Sequence, residues 1–97
     1  MKAVGRKIVL TPYTTKQADL DLNYWQRSGN HRVLERINRL VEASLTSPET
    51  GIGKPEKLRF QDSEVYSRRI DSQHRLIYRV EGDKLVILSA RFHYADK

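Results

Sequence analysis

Between Thr46 and Lys57 the hydrophobic pattern of this chain changes its period. Upstream, Val33, Leu34, Ile37, Leu40, Val41 and Leu45 recur at the spacing of one helix face. Downstream come short strand-like runs, separated by Asp71-Ser72-Gln73 and Glu81-Gly82-Asp83, which have the composition of tight turns. A chain that switches once from the helical to the strand period keeps its helices and strands apart. The expected fold class is therefore α+β, with two N-terminal helices packed on one face of an antiparallel meander sheet. With 97 residues it reads as a single domain, 1–97, in which 1–6 form a loose N-terminal arm.

The elements follow from local signals. Lys7-Ile8-Val9-Leu10 is short and β-branched and stops at Pro12, so it reads as a strand. Thr14 or Thr15 can cap a first helix, in which Ala18, Leu22 and Trp25 share a face and which Ser28-Gly29-Asn30 ends. The second helix carries the apolar stripe above, with Arg32, Glu35, Arg36 and Arg39 on its other side, and stops before Ser47-Pro48. Glu49 to Lys57 is expected as a loop, punctuated by Gly51, Gly53 and Pro55. Strands are expected over Leu58–Gln61, Val65–Ile70, Arg75–Val80 and Lys84–Tyr94.

Composition narrows the function. The absence of cysteine excludes a disulfide framework and a thiolate metal site, and it accords with a reducing, cytoplasmic setting. There is no apolar run long enough to cross a membrane, and no apolar segment follows Met1–Lys7 as a signal peptide requires. The formal net charge of +6 points to a polyanionic partner: RNA, DNA or an acidic protein segment.

The residues with chemistry are Glu56, the Arg68-Arg69 pair, Arg75, and the ending Arg91-Phe92-His93-Tyr94. On a strand over Lys84–Tyr94, strict alternation places Leu85, Ile87, Ser89, Arg91 and His93 on one face. Val86, Leu88, Ala90, Phe92 and Tyr94 take the other, which is expected to pack on the helices. Arg75 shares the face of His93 only if the hairpin loop has an odd number of residues or a bulge restores the parity. One of those two devices is expected. Arg68 and Arg69 must face opposite sides, and Arg68 is assigned the structural one.

These residues, in this order, resemble the Txe/YoeB family of bacterial toxins within the RelE superfamily. The resemblance is carried by Arg36-Ile37-Asn38, Gly51-Ile52-Gly53-Lys54-Pro55-Glu56-Lys57-Leu58, Tyr66-Ser67-Arg68-Arg69-Ile70, His74-Arg75-Leu76-Ile77-Tyr78 and Arg91-Phe92-His93-Tyr94. The first helix, with Tyr24-Trp25-Gln26, matches more loosely. Three features depart from the pattern: a longer N-terminal arm with Pro12, Phe92 where tyrosine is common, and the extension Ala95-Asp96-Lys97.

The resemblance implies a RelE-like microbial ribonuclease architecture and the toxin of a type II toxin–antitoxin pair. The implied activity is that of a messenger RNA endoribonuclease working at the ribosomal A site without a metal or other cofactor. It implies Glu56 as general base, His93 as general acid and Arg75 as the phosphate-stabilising arginine, with Tyr94, Arg69, Arg59 and Lys54 contacting RNA. The implied partners are a YefM- or Axe-like antitoxin, the ribosome with its message, operator DNA through the antitoxin complex, and a second copy of the toxin.

Those residue types suit the reaction. Attack by a ribose 2′-hydroxyl on the adjacent phosphate needs a base, an acid for the departing 5′-oxygen and a cation for the charge that develops. A carboxylate, a histidine titrating near neutral pH and a guanidinium supply them. Tyr94 can stack a base. Two other readings stand beside this one: a non-enzymatic inhibitor on the same fold, such as the relatives that poison DNA gyrase, and a basic nucleic-acid-binding domain.

Overall fold

The computed structural model describes residues 9–58 and 64–92. In chain order the elements are β1 (Thr11–Thr14), α1 (Lys16–Arg27), α2 (His31–Thr46), β2 (Glu56–Leu58), β3 (Val65–Arg69), β4 (Arg75–Glu81) and β5 (Lys84–Ser89). The strands form one sheet in the order β1-β5-β4-β3-β2, antiparallel except where β1 runs parallel to β5.

The helices form as their sequences dictate. The Thr15 hydroxyl accepts the Ala18 N–H at the start of α1, and the Asn30 side chain accepts the Val33 N–H at the start of α2. Gly29, at φ +75°, supplies the left-handed residue that ends α1 and lets α2 begin almost at once. The α2 stripe buries Val33, Ile37 and Leu40, with Leu34, Val41 and Leu45 half-buried around them. They pack with Ala18 and Trp25 of α1 on the sheet face formed by Tyr66, Leu76, Tyr78, Leu85 and Ile87.

Three expectations change. Of the strand expected over Lys7–Leu10, Val9 and Leu10 are described and lie in no strand. Lys7 and Ile8 lie outside the described residues, and the Leu10 N–H is given to the Leu45 carbonyl (2.8 Å) at the open end of α2. Pairing begins instead at Thr11, beside β5, and makes the sheet mixed. All four residues of β1 are exposed, and its edge position tolerates Pro12, which has no N–H to donate.

Second, Glu56 lies in a strand rather than a loop, because β2 starts two residues before Leu58. The remainder of the strand expected over Leu58–Gln61 lies outside the described residues.

Third, β5 ends at Ser89, and its helix-facing residues are Leu85 and Ile87, not Val86 and Leu88. The hairpin loop has two residues, Gly82 and Asp83, with φ of +59° at Gly82, as a glycine-first turn requires. The parity is then reset by a bulge. Tyr78 pairs with Ile87 but Ile77 pairs with Ser89, so Leu88 is the extra residue. The bulge turns Ala90 back into the same core as Leu85 and Ile87. Thr15 uses its hydroxyl a second time here, donating to the Leu88 carbonyl (3.0 Å) and so satisfying the bulged backbone.

Candidate functional site

On the sheet face away from the helices, the register brings four polar side chains together. Glu56 on β2 pairs with Ser67 on β3, and Ser67 pairs with Ile77 on β4. Two residues along, on the same face, Arg69 lies directly opposite Arg75. Buried Ser67 and Ile77 form a floor, with Glu56 on one side and Arg75 on the other. The Arg75 guanidinium lies 3.7 Å from the Glu56 carboxylate, and its Nη1 donates to the Ser67 hydroxyl at 3.3 Å.

The electrostatics of this face suit an anion. Like charges directly across a strand pair destabilise a sheet, and Arg69 and Arg75 occupy such a pair. Among the described residues, Glu56 is the one carboxylate in an ion pair with either of them. An ion pair with a carboxylate this exposed (side chain 68%) adds about 1 kcal/mol at most. Stability is therefore no reason to gather these groups. A phosphate accepting donors from two guanidiniums would relieve their repulsion.

The backbone that delivers Glu56 is tightly turned. Gly53 has φ +82° and Lys54 φ +50°. The Gly53 carbonyl accepts the Arg69 N–H at 2.7 Å, which ties the loop to β3 just before β2 begins. Lys54 is exposed two residues before Glu56. The structure thus brings Glu56, Arg75 and Arg69 together and puts Lys54 on the approaching loop. His93, Tyr94 and Arg59 lie outside the described residues.

Asp21, Trp25 and His74, to which the sequence assigns no role in the site, hold the chain at the end of β5. After Ser89 the chain leaves the sheet, and α1 grips it there. Asp21 accepts the Ala90 N–H (2.9 Å), while Trp25, one turn later, donates its indole N–H to the Ala90 carbonyl (2.8 Å). Phe92 sits at φ +66° with its N–H on His74 Nδ1 (2.7 Å) and its carbonyl accepting from the Arg75 N–H (3.2 Å). His74 is in turn held edge-on against Trp25. Spacing gave no warning of this. His74 and Trp25 are far apart in sequence; they meet where the chain leaves β5, Trp25 on Ala90 and His74 on Phe92, the residue preceding His93. Among the described residues no cluster of three His, Asp or Glu side chains is placed to hold a metal ion.

The opposite face is held by a separate polar network. Arg68 is fully buried there, as the parity of the Arg68-Arg69 pair predicts. Tyr66 stacks on Tyr78 (centroids 5.6 Å apart) and donates its hydroxyl to Glu49 at 3.1 Å. Burial first, then the hydrogen bond and negative charge of Glu49, push the Tyr66 hydroxyl from 10.0 up to about 12. Between those values the folded chain keeps a proton that the unfolded chain loses, so the contribution of Tyr66 to stability is complete below pH 10 and falls away as the pH rises towards 12. Tyr66→Phe should abolish that slope. Urea unfolding of both proteins on either side of pH 10 checks it, and an unchanged difference in unfolding free energy would count against the assignment.

A second basic surface lies on α2. Arg32, Arg36 and Arg39 line a groove of about 590 Å³ with Asn30, Val33, Ile70 and Asp71. Arg36 reaches from it to the Arg69 carbonyl (3.1 Å), so this surface adjoins the back of the arginine pair.

Comparison with known proteins places these features in a family context. Residues 14–94 match the family model described as the YoeB-like toxin of bacterial type II toxin–antitoxin systems. Toxin YoeB of Synechocystis sp. is 46% identical over 70 residues, covering 72% of this chain and 81% of the relative. Among solved structures, the YoeB/ParE toxin from Agrobacterium tumefaciens superposes with a TM-score of 0.80 at 36% identity, over 88% of this chain and all of that one. The YoeB–YefM complex from Staphylococcus aureus gives a TM-score of 0.76 at 37% identity, over 88% of this chain and 98% of that one. A YoeB dimer from the same organism gives 0.77 at 36% identity, with the same coverage of each chain.

Proposed function

This chain belongs to the YoeB-like toxins of bacterial type II toxin–antitoxin systems, and from that premise we propose that it is a ribosome-dependent messenger RNA endoribonuclease. The observation that carries the reading is Glu56 set 3.7 Å from Arg75 over Ser67, with Arg69 alongside. A base and a paired cation on one sheet face are two of the three groups that the reaction needs.

Glu56 takes the proton of a ribose 2′-hydroxyl as its oxygen attacks the adjacent phosphorus. Arg75, assisted by Arg69, binds the non-bridging oxygens as they gain charge. The bond to the 5′-oxygen breaks, and His93 donates the proton that this oxygen takes up. The products are a 2′,3′-cyclic phosphate and a free 5′-hydroxyl. Tyr94 stacks a base of the message, and Lys54 and Arg59 hold its backbone. The α2 arginines add to the positive surface that a large folded RNA such as the ribosome would meet. An acidic YefM-like antitoxin covers the same face and neutralises it, a second copy of the toxin can assemble with it, and the toxin–antitoxin complex binds operator DNA.

The test is to translate a defined message with the purified toxin and map the 5′ ends produced. Cuts should appear only on translated message and should leave a 5′-hydroxyl. Arg75→Ala should slow them by about 10²–10³-fold, the usual loss when a preorganised donor to developing charge is removed. Arrest of translation with the message uncut would overturn the reading.

A further inference from the structure

Arg68 is the largest fully buried side chain among the described residues. A buried guanidinium is tolerated only when its N–H groups find partners. Here Nε donates to the Tyr78 hydroxyl (2.9 Å), Nη1 to the Ile52 carbonyl (2.8 Å), and Nη2 to the carbonyls of Thr50 (2.8 Å) and Ser47. The Tyr78 hydroxyl in turn donates a hydrogen bond to the Pro48 carbonyl. Three backbone carbonyls of one loop are thus gathered on Arg68 and a fourth on its partner Tyr78, and none of the ion pairs among the described residues involves Arg68.

What this network holds is the approach to Glu56. Gly53 is pressed against the stem of Arg68: a Cβ on it would come within 3.2 Å of Arg68 Cβ. Its carbonyl is bonded to the N–H of Arg69, the next residue. Lys54 then turns at φ +50°, and β2 starts at Glu56. Arg68 and Arg69 are neighbours on opposite faces, so one grips the loop while the other joins the anion-binding pair. A carboxylate that is 68% exposed has little of its own to hold it near Arg75.

We propose that Arg68 is a positioning residue, which fixes the 47–53 loop so that β2 sets Glu56 against Arg75. The proposal rests on the ribonuclease reading of Glu56. It separates Arg68 from a purely structural arginine by one property: its effect on the rate must pass through Glu56.

The experiment compares the wild type, Arg68→Lys, Glu56→Gln and the double variant. Single-turnover cleavage, the concentration dependence of cleavage, urea unfolding and amide exchange across residues 49–54 are measured on each. Arg68→Lys should speed exchange in the loop and lower the maximal rate by about 10²-fold, as expected for a misplaced catalytic group, with KM unchanged. The double variant should cut no more slowly than Glu56→Gln, because groups that act as a unit are not additive. If Arg68→Lys unfolds, Tyr78→Phe, which removes the hydroxyl partner but keeps the ring, is judged by the same criteria. Lost stability with an unchanged rate, or rate losses that multiply in the double variant, would overturn the proposal. If Glu56→Gln itself cuts like the wild type, the ribonuclease reading of Glu56 fails instead, and loop exchange still reports whether Arg68 holds the loop.

Discussion

Glu56→Gln should slow cleavage of translated message by about 10²–10⁴-fold, the range for removing a general base, while the fold stays intact. The substitution keeps the shape of the side chain and takes away its ability to accept the 2′-hydroxyl proton. Little stability goes with it. The carboxylate is 68% exposed and its contact with Arg75 is 3.7 Å long, which limits the pair to about 1 kcal/mol. Arg75 also keeps its bond to Ser67, so the cation is not released from the floor of the site. Kinetics on a translating system and a thermal melt of the free toxin read the two effects separately. A wild-type rate, or a slow rate explained by an unfolded protein, would remove Glu56 from the mechanism.

The second large effect concerns stability. Gly53→Ala should destabilise the fold by about 2–5 kcal/mol, the sum of left-handed strain and overpacking. The residue sits at φ +82°, and an added Cβ would lie 2.7 Å from Leu40 Cδ2. A leucine methyl can often swing aside, but Leu40 is fully buried in the core, where space is already filled. Against a typical total of about 5–15 kcal/mol, that loss is a large share of the stability of a small domain. Gly29→Ala is the internal control. Gly29 has a similar φ of +75° but nothing within 4 Å of its would-be Cβ, so only the backbone term of about 1–2 kcal/mol applies. Urea unfolding of both variants decides the matter, and equal losses would show that the contact with Leu40 is relieved at no cost.

The site was partly legible because two of its features are local. Arg68 and Arg69 adjoin on a strand, so one had to point inward and one outward, and Arg69 is the exposed one. The demand for a parity device between Arg75 and the last strand was also readable, because alternation is strict unless a residue is inserted. Which device would be used was not. The run Leu85-Val86-Ile87-Leu88 is apolar at every position, so its pattern cannot say which pair faces the helices. The bulge at Leu88 made the choice, and Thr15 from the start of α1 supports it.

By itself the sequence determined the α+β order, a first helix capped at Thr14 or Thr15 and ended by Ser28-Gly29-Asn30, the stop of α2 before Ser47-Pro48, the core stripe of α2, and the set of residue types a toxin of this family carries. These depend on neighbours within a few positions, where propensity, capping and periodicity act. The tertiary structure alone decided that β1 joins β5 in parallel, that Leu85 and Ile87 turn inward, that His74 and α1 hold the chain beyond Ser89, and that Arg68 gathers the loop preceding Glu56. Each of these unites groups distant in sequence; apolar burial turns Leu85 and Ile87 inward, and the need of buried polar groups for partners gathers α1 on Ala90 and the loop on Arg68. That need is set by what folding happens to bury, and no short stretch of sequence contains it.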